Sequence, residues 1–156
     1  MIKFAFYNGR SQGAKFVHKV ILAVSDPYTH CELVFSDHLS YSSQLMIGPR
    51  FKKITYGHPD RWHIVHAGYI TPEQEARIRY RAELKVALQK AGLIGYDSKG
   101  AIGCSIIPLT GSAWNDFCSE TIYDIVAPEI ALPSLNTGMH PQRLLEIIAI
   151  IEDLNR

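Results

Sequence analysis

The chain has 156 residues, of which 47% are hydrophobic and 20% charged, with sixteen Lys/Arg against fifteen Asp/Glu and a formal net charge of +1. That balance suits a folded domain with a sizeable core and argues against a disordered chain or a basic nucleic-acid-binding stripe. No apolar run approaches the roughly 20 residues that span a bilayer, so no integral membrane segment is expected. The opening "MIKFAFYNGRSQGAK" lacks the basic region, continuous apolar stretch and small-residue cleavage site of a secretion signal, which predicts synthesis in the cytoplasm. No Gly/Ser/Pro-rich linker or charge run divides residues 1–156, and a single domain is expected.

In chain order, "IKFAFY" is dense in β-branched and aromatic residues and stops at Asn8-Gly9, which predicts a strand. Phe16, Val17, Val20, Ile21 and Val24 fall at helical spacing after Ser11, a suitable cap, and predict a helix over 11–24. "YTHCELVFSD" then reads as a strand, with "LSYSSQ" as its hairpin partner across Ser36-Asp37-His38. "RFKKITY" and "RWHIVHAG" read as further strands, separated by turn chemistry at Gly57-His58-Pro59-Asp60. A helix from Pro72 to Lys90 is marked by Thr71, Pro72 and Gln74 as cap, first-turn proline and capping-box partner, with Gly92 ending it. After the glycine-marked "GLIGYDSKGAIGCSIIPLTG", a helix is expected from about Asp116 to Val126, and a last one over "HPQRLLEIIAIIEDL" with an apolar stripe through Leu144, Ile147, Ile148 and Ile151. Strands clustered between helices without a βαβ rhythm predict an α+β fold around a mainly antiparallel sheet.

Cys31, Cys104 and Cys118 cannot all pair, and no Cys-x-x-Cys spacing suggests zinc, so at least one free thiol, no metal and no cofactor are expected. With Asn115 or Asp116 as cap, Cys118 falls in the first turn of its helix, where unsatisfied amides and the helix dipole favour a thiolate. Cys31 is expected to face the core with Leu33 and Phe35, and Cys104 to lie in a buried segment. On the same strand His30 and Glu32, two apart, share a face and outline a general base with an orienting carboxylate. Periodicity alone does not prefer His30 over His63 or His66. The ordinary readings stand beside these: Cys118 as a small core residue, His30 as a half-buried polar group, and Glu32 as a solvated residue or an ion pair with one of the lysines.

The strand "THCELVF", its hairpin, the segment "YDSKGAIG" after a long helix and "FCSE" opening a later helix together resemble the circularly permuted branch of the NlpC-type papain-like cysteine hydrolases. That branch includes YiiX-like bacterial proteins, short phage and prophage proteins and, more distantly, the lecithin:retinol acyltransferase group. In it the histidine strand precedes the cysteine helix, and the resemblance covers about residues 1–145. It implies a permuted papain-like architecture, Cys118 as nucleophile and His30 as its base. For the orienting group it leaves Glu32, or Ser42, Ser43 or Gln44 on the following strand. Tyr96 matches a tyrosine placed near the oxyanion site, and Glu120 the acid of the "CSE" block, which binds strand amides or a loop without a need to touch substrate. The implied activity is a cysteine hydrolase, an amidase or peptidase acting on a small amide, isopeptide or muropeptide through an acyl-enzyme. With no wall-binding repeat, export signal or C-terminal membrane helix, a free-standing wall hydrolase or a lipid acyl hydrolase or transferase fits less well. A phage- or host-associated setting, with a non-catalytic binding module of the same fold directed at a host protein, is the alternative; a thiol that is acylated without turnover is a further one.

Overall fold

The computed structural model describes residues 1–11, 18, 22, 25–44, 47–54, 56, 58–93, 118–133 and 139–155. Five strands, β1 (Lys3–Asn8), β2 (Tyr28–Val34), β3 (Leu39–Gln44), β4 (Gly48–Lys53) and β5 (Trp62–His66), form one antiparallel sheet in the order β4-β3-β2-β1-β5. Three helices pack with it: α1 (Pro72–Lys90), α2 (Cys118–Val126) and α3 (Pro141–Leu154). The expected α+β class with an antiparallel sheet is what these residues form.

Strand alternation decides which side chains meet the helices. The register Phe4↔Leu33, Phe6↔Cys31 and Leu33↔Tyr41 puts these five side chains on one face, all fully buried. They form a single cluster with Ile78 and Ala82 of α1, Ile122 and Ile125 of α2, and Leu144 and Ile148 of α3. The opposite face carries Tyr7 beside His30 and Trp62, Ala5 beside Glu32, and Val34, Ser40 and Lys52 in one row across β2, β3 and β4. Since β4 and β5 are the two edges of the sheet, the chain between them must travel from one edge to the other. Tyr56, on that connection, packs edge-on against Trp62 with ring centroids 5.5 Å apart, which places the crossing on the face away from the helices.

The helix limits follow from their ends. At α1 the Thr71 side chain accepts from the Gln74 amide while the Gln74 side chain accepts from the Thr71 amide, Pro72 sits in the first turn, and Gly92 takes a φ of 73° just beyond the end. Helix α3 starts at Pro141, with Leu144 and Ile148 buried and Ile147 and Ile151 partly so, as the apolar stripe requires. Strand β4 begins at Gly48, two residues before the expected start at Arg50, and ends at Lys53. Pro49 is tolerated there because β4 is an edge strand and the missing amide leaves no ladder bond unmade. The expected turn at 57–60 contributes a short 3-10 helix, Pro59–Arg61. Of the helix expected over 11–24, His18 is helical and the Leu22 amide donates to its carbonyl at 3.0 Å; Phe16, Val17, Val20, Ile21 and Val24 lie outside the described residues.

Helix α2 is buried on nearly every side, with Cys118, Ser119, Thr121, Ile122, Tyr123, Ile125 and Val126 all enclosed. Polar bonds fix its rotation. Ser119 Oγ donates to the Met139 carbonyl, the Met139 amide donates to Glu120 Oε1 at 3.2 Å, Thr121 Oγ1 meets Tyr41 Oη at 3.1 Å, and Tyr123 Oη donates to the Pro133 carbonyl at 2.7 Å. Truncating its central side chain should therefore be costly: Ile122→Ala is expected to destabilise the fold by about 2–5 kcal/mol. Leu84→Ala on the exposed side of α1 should cost well under about 1 kcal/mol, and urea titration of both variants measures the contrast.

Candidate active site

Cys118, the first residue of α2, meets the sheet where two strands part. β3 pairs with β4 along its whole length, Leu39↔Lys53 to Gln44↔Gly48, but with β2 only at Leu33↔Tyr41 and Val34↔Ser40. Among the described residues, the first half of β2 thus has a ladder on its β1 side and no paired strand on the other. Amides of alternate residues point to the same neighbour, and the Phe35 amide donates across the hairpin to the Leu39 carbonyl at 2.9 Å. The Cys31 amide, four residues earlier, points the same way, and among the described residues no strand receives it. Hydrogen bonding by this amide is one of the causes that lower the Cys118 pKa.

This seat explains how one sulfur can touch two side chains that project from opposite faces of β2. From the core face the Cys31 thiol, and from the other the His30 imidazole, act on Cys118 by hydrogen bonding that lowers its pKa. The His30 Nε2 lies 3.3 Å from Glu32 Oε1. Glu32 is 1% exposed and its Oε1 also receives Lys52 Nζ at 2.5 Å. The result is a continuous line, Lys52, Glu32, His30, Cys118, ending at a thiol 7% exposed.

The electrostatics follow from these contacts. The Cys31 thiol, donating to Cys118, is the main cause holding the Cys118 pKa well below the ordinary thiol value; burial opposes it, and the His30 charge, the His30 hydrogen bond and the Cys31 amide add to it. Burial drives the Cys31 pKa well up, and the neighbouring Cys118 charge adds to this, so Cys31 stays a thiol and can donate. For His30, burial alone would favour the neutral ring, but the Cys118 charge and the hydrogen bonds to Cys118 and Glu32 outweigh it and hold the pKa at about 9. Burial would likewise raise Glu32, yet His30 and Lys52 bring it to about 2. Both directions favour a thiolate beside an imidazolium.

Aromatic rings line the face behind the imidazole. Trp62 stands edge-on to His30 at 6.4 Å, with Tyr7 at 5.3 Å and Tyr56 at 5.5 Å from Trp62. The Tyr56 hydroxyl is buried with no hydrogen-bond partner, and burial followed by the Glu32 charge pushes its pKa up to about 12.

Of the residues singled out in the sequence, the structure brings together Cys118, His30 and Glu32. It gives Glu32 the contact to the imidazole that Ser42, Ser43 and Gln44 were considered for; Ser42 lies on the Glu32 face of β3, Ser43 on the helix face. His63 and His66 lie on β5, away from Cys118. Glu120 binds the Met139 amide, holding α2 to the segment before α3. Tyr96, Cys104 and the caps Asn115 and Asp116 lie outside the described residues. Cys31 is in the core with Leu33 and Phe35, as alternation requires, and it is also the first of the groups that lower the Cys118 pKa, a role alternation did not indicate. Lys52 is the lysine of the anticipated ion pair, and only the β3/β4 register singles it out. Among the described residues no group of three or more His, Cys, Asp or Glu is placed to hold a metal ion, and no helix is long and apolar enough to cross a membrane.

Comparison with models of known families, with curated proteins and with solved structures returned no match.

Two outcomes are expected. Cys31→Ala should raise the apparent pKa of Cys118 by about 1 pH unit, whereas Cys31→Ser, which keeps a donor, should raise it less; thiol alkylation against pH reads both. Because Glu32 is lowered from 4.5 to about 2, its stabilising contribution is complete above pH 4.5 and is lost as the pH falls towards 2. Glu32→Gln should flatten that acid slope in chemical denaturation.

Proposed function

We propose that the chain is a cysteine hydrolase that cleaves an amide bond in a peptide, isopeptide or muropeptide, with Cys118 as nucleophile, His30 as proton carrier and Glu32 as orienter. The observation that carries this reading is the Cys118 sulfur at a helix start, hydrogen-bonded to an imidazole that is itself held by a buried carboxylate. Core cysteines are neutral thiols in apolar surroundings, whereas this one is given three donors and a cation. The order of the elements, histidine strand before cysteine helix, supports the permuted papain-like reading of the sheet and helices.

In the reaction the thiolate adds to the substrate carbonyl carbon, and the amide at the α2 start donates to the oxygen as it gains charge. His30 passes its proton to the departing amine, the C–N bond breaks and a thioester remains. Neutral His30 then takes a proton from water as the hydroxide adds to the thioester carbon. Collapse returns the thiolate, the imidazolium and a free carboxylic acid. Glu32 keeps the ring oriented throughout, and it has no need to accept the proton itself.

The expected activity window runs from the lowered Cys118 pKa up to about 9, where His30 loses its proton. Cys118→Ala should abolish acyl-enzyme formation while leaving the fold intact, and His30→Ala should slow acylation by about 10²-fold or more. Glu32→Gln should slow it by less. Mass spectrometry of the protein quenched with activated esters and peptide amides measures the covalent species. A wild-type Cys118 that is neither acylated nor alkylated faster than an ordinary thiol would overturn the proposal in favour of a binding module, and acylation without turnover would favour a carrier.

A further inference from the structure

We propose that Lys52 is a positioning residue for His30: by binding the same Glu32 oxygen as the imidazole, it keeps that carboxylate charged and fixed in place while His30 gains and loses its proton. This inference rests on the reading of Cys118 and His30 as a working pair and adds a fourth member to it.

The geometry is set by the sheet. Lys52 pairs with Ser40, Ser40 pairs with Val34, and Glu32 lies two residues from Val34 on the same face. The lysine must therefore reach diagonally across β3 to meet Glu32. Of the β3 residues on that face, Ser40, Ser42 and Gln44, the two between Lys52 and Glu32 are Ser40 and Ser42, both buried and both small, so the four-carbon stem has a shallow path where a Leu or Phe would block it. Its ammonium arrives 2.5 Å from Oε1, while His30 Nε2 stands 3.3 Å from the same atom. The ammonium end is the wet end of the line, since the Lys52 side chain is 37% exposed and that of Glu32 only 2%.

A carboxylate this buried needs a compensating charge in every step of a reaction cycle. The imidazolium supplies one only while it holds its proton. Once His30 has protonated a leaving group, Glu32 would face a neutral ring, and the pair would draw a proton back, making His30 a reluctant acid. A permanent cation on the same oxygen removes that penalty. It also repels a proton on the ring, so the lysine sets the upper end of the His30 titration as well as its orientation. Among the described residues, the other groups facing this site do not supply a second permanent cation to Glu32. Cys118 and Glu32 are the acidic groups beside the ring, Tyr7 and Tyr56 are the aromatic groups near it, and His18 sits beyond Tyr7, bonded to Thr29. Arg50 shares the Lys52 face of β4, and among the described residues it forms no ion pair with Glu32 and its buried Nε has no hydrogen-bond partner.

The test is the pH dependence of Cys118 alkylation by iodoacetamide in the full chain, followed by mass spectrometry. The wild type should alkylate well below pH 8.5 and show a second rise near pH 9 as the imidazolium titrates. In Lys52→Met that second rise should move up by about 1 pH unit, since loss of a neighbouring cation favours the protonated ring, and the acylation rate should fall; Lys52→Arg should restore both. A merely structural lysine would lower activity without moving the rise, so an unmoved second rise in Lys52→Met overturns this inference alone. Lys52→Gln repeats the comparison should Lys52→Met fail to fold. If His30→Ala leaves the wild-type profile unchanged, the thiolate–imidazolium reading itself fails, and the role of Lys52 falls with it.

Discussion

The gap between β2 and β3 is the constraint on which the rest of the site depends. Had the two strands stayed paired past Leu33 and Tyr41, the Cys31 amide would have been used in the ladder and the start of α2 would have met a closed sheet. By parting, they leave one amide, one thiol and one imidazole converging on a point reached by a single helix residue. Backbone geometry thus brings groups from both faces of a strand to one atom, which side-chain alternation alone forbids.

Charge then propagates away from the sulfur. A thiolate enclosed by protein is unfavourable unless donors and a cation answer it, and the imidazolium that does so is itself enclosed and answered by Glu32, and Glu32 by Lys52. Charges alternate in sign along the line and the outermost is the one best reached by water. The aromatic rings of Trp62, Tyr7 and Tyr56 pack beside the partly buried imidazole in the middle of it, which strengthens each interaction by lowering the local dielectric. The bonds that pin α2 to Tyr41, Pro133 and Met139 serve the same end, because the sulfur position is inherited from the helix.

Much of this was legible in the sequence where local rules act. Period-two alternation found β1, β2 and β3, and Thr71, Pro72 and Gln74 located the start of α1 to the residue. His30 and Glu32 could be placed on one face because they are two apart on a strand. What local rules do not reach is register between distant segments. Nothing in "THCELVF" reveals that its first half lacks a neighbour on one side, so Cys31 read as core and no more. Nor does "RFKKITY" say which lysine meets Glu32; that follows from Ser40 standing opposite Lys52, a fact about the hairpin rather than about either strand. The β4 boundary was missed at a proline because an edge strand tolerates what a central strand would not.

The order of the elements along the chain gives the fold a direction in time. The meander β2-β3-β4 is built from neighbouring segments, so His30, Glu32 and Lys52 can come together through local hairpins, whereas Cys118 belongs to a helix far downstream. Contacts between near segments form with less loss of chain entropy than those between distant ones. Until α2 docks, its cysteine has neither the Cys31 amide nor the imidazole beside it and remains an ordinary thiol. On the proposed reading, reactivity is therefore a property of the finished tertiary structure, absent from the nascent chain during the interval when a promiscuous nucleophile would do most harm.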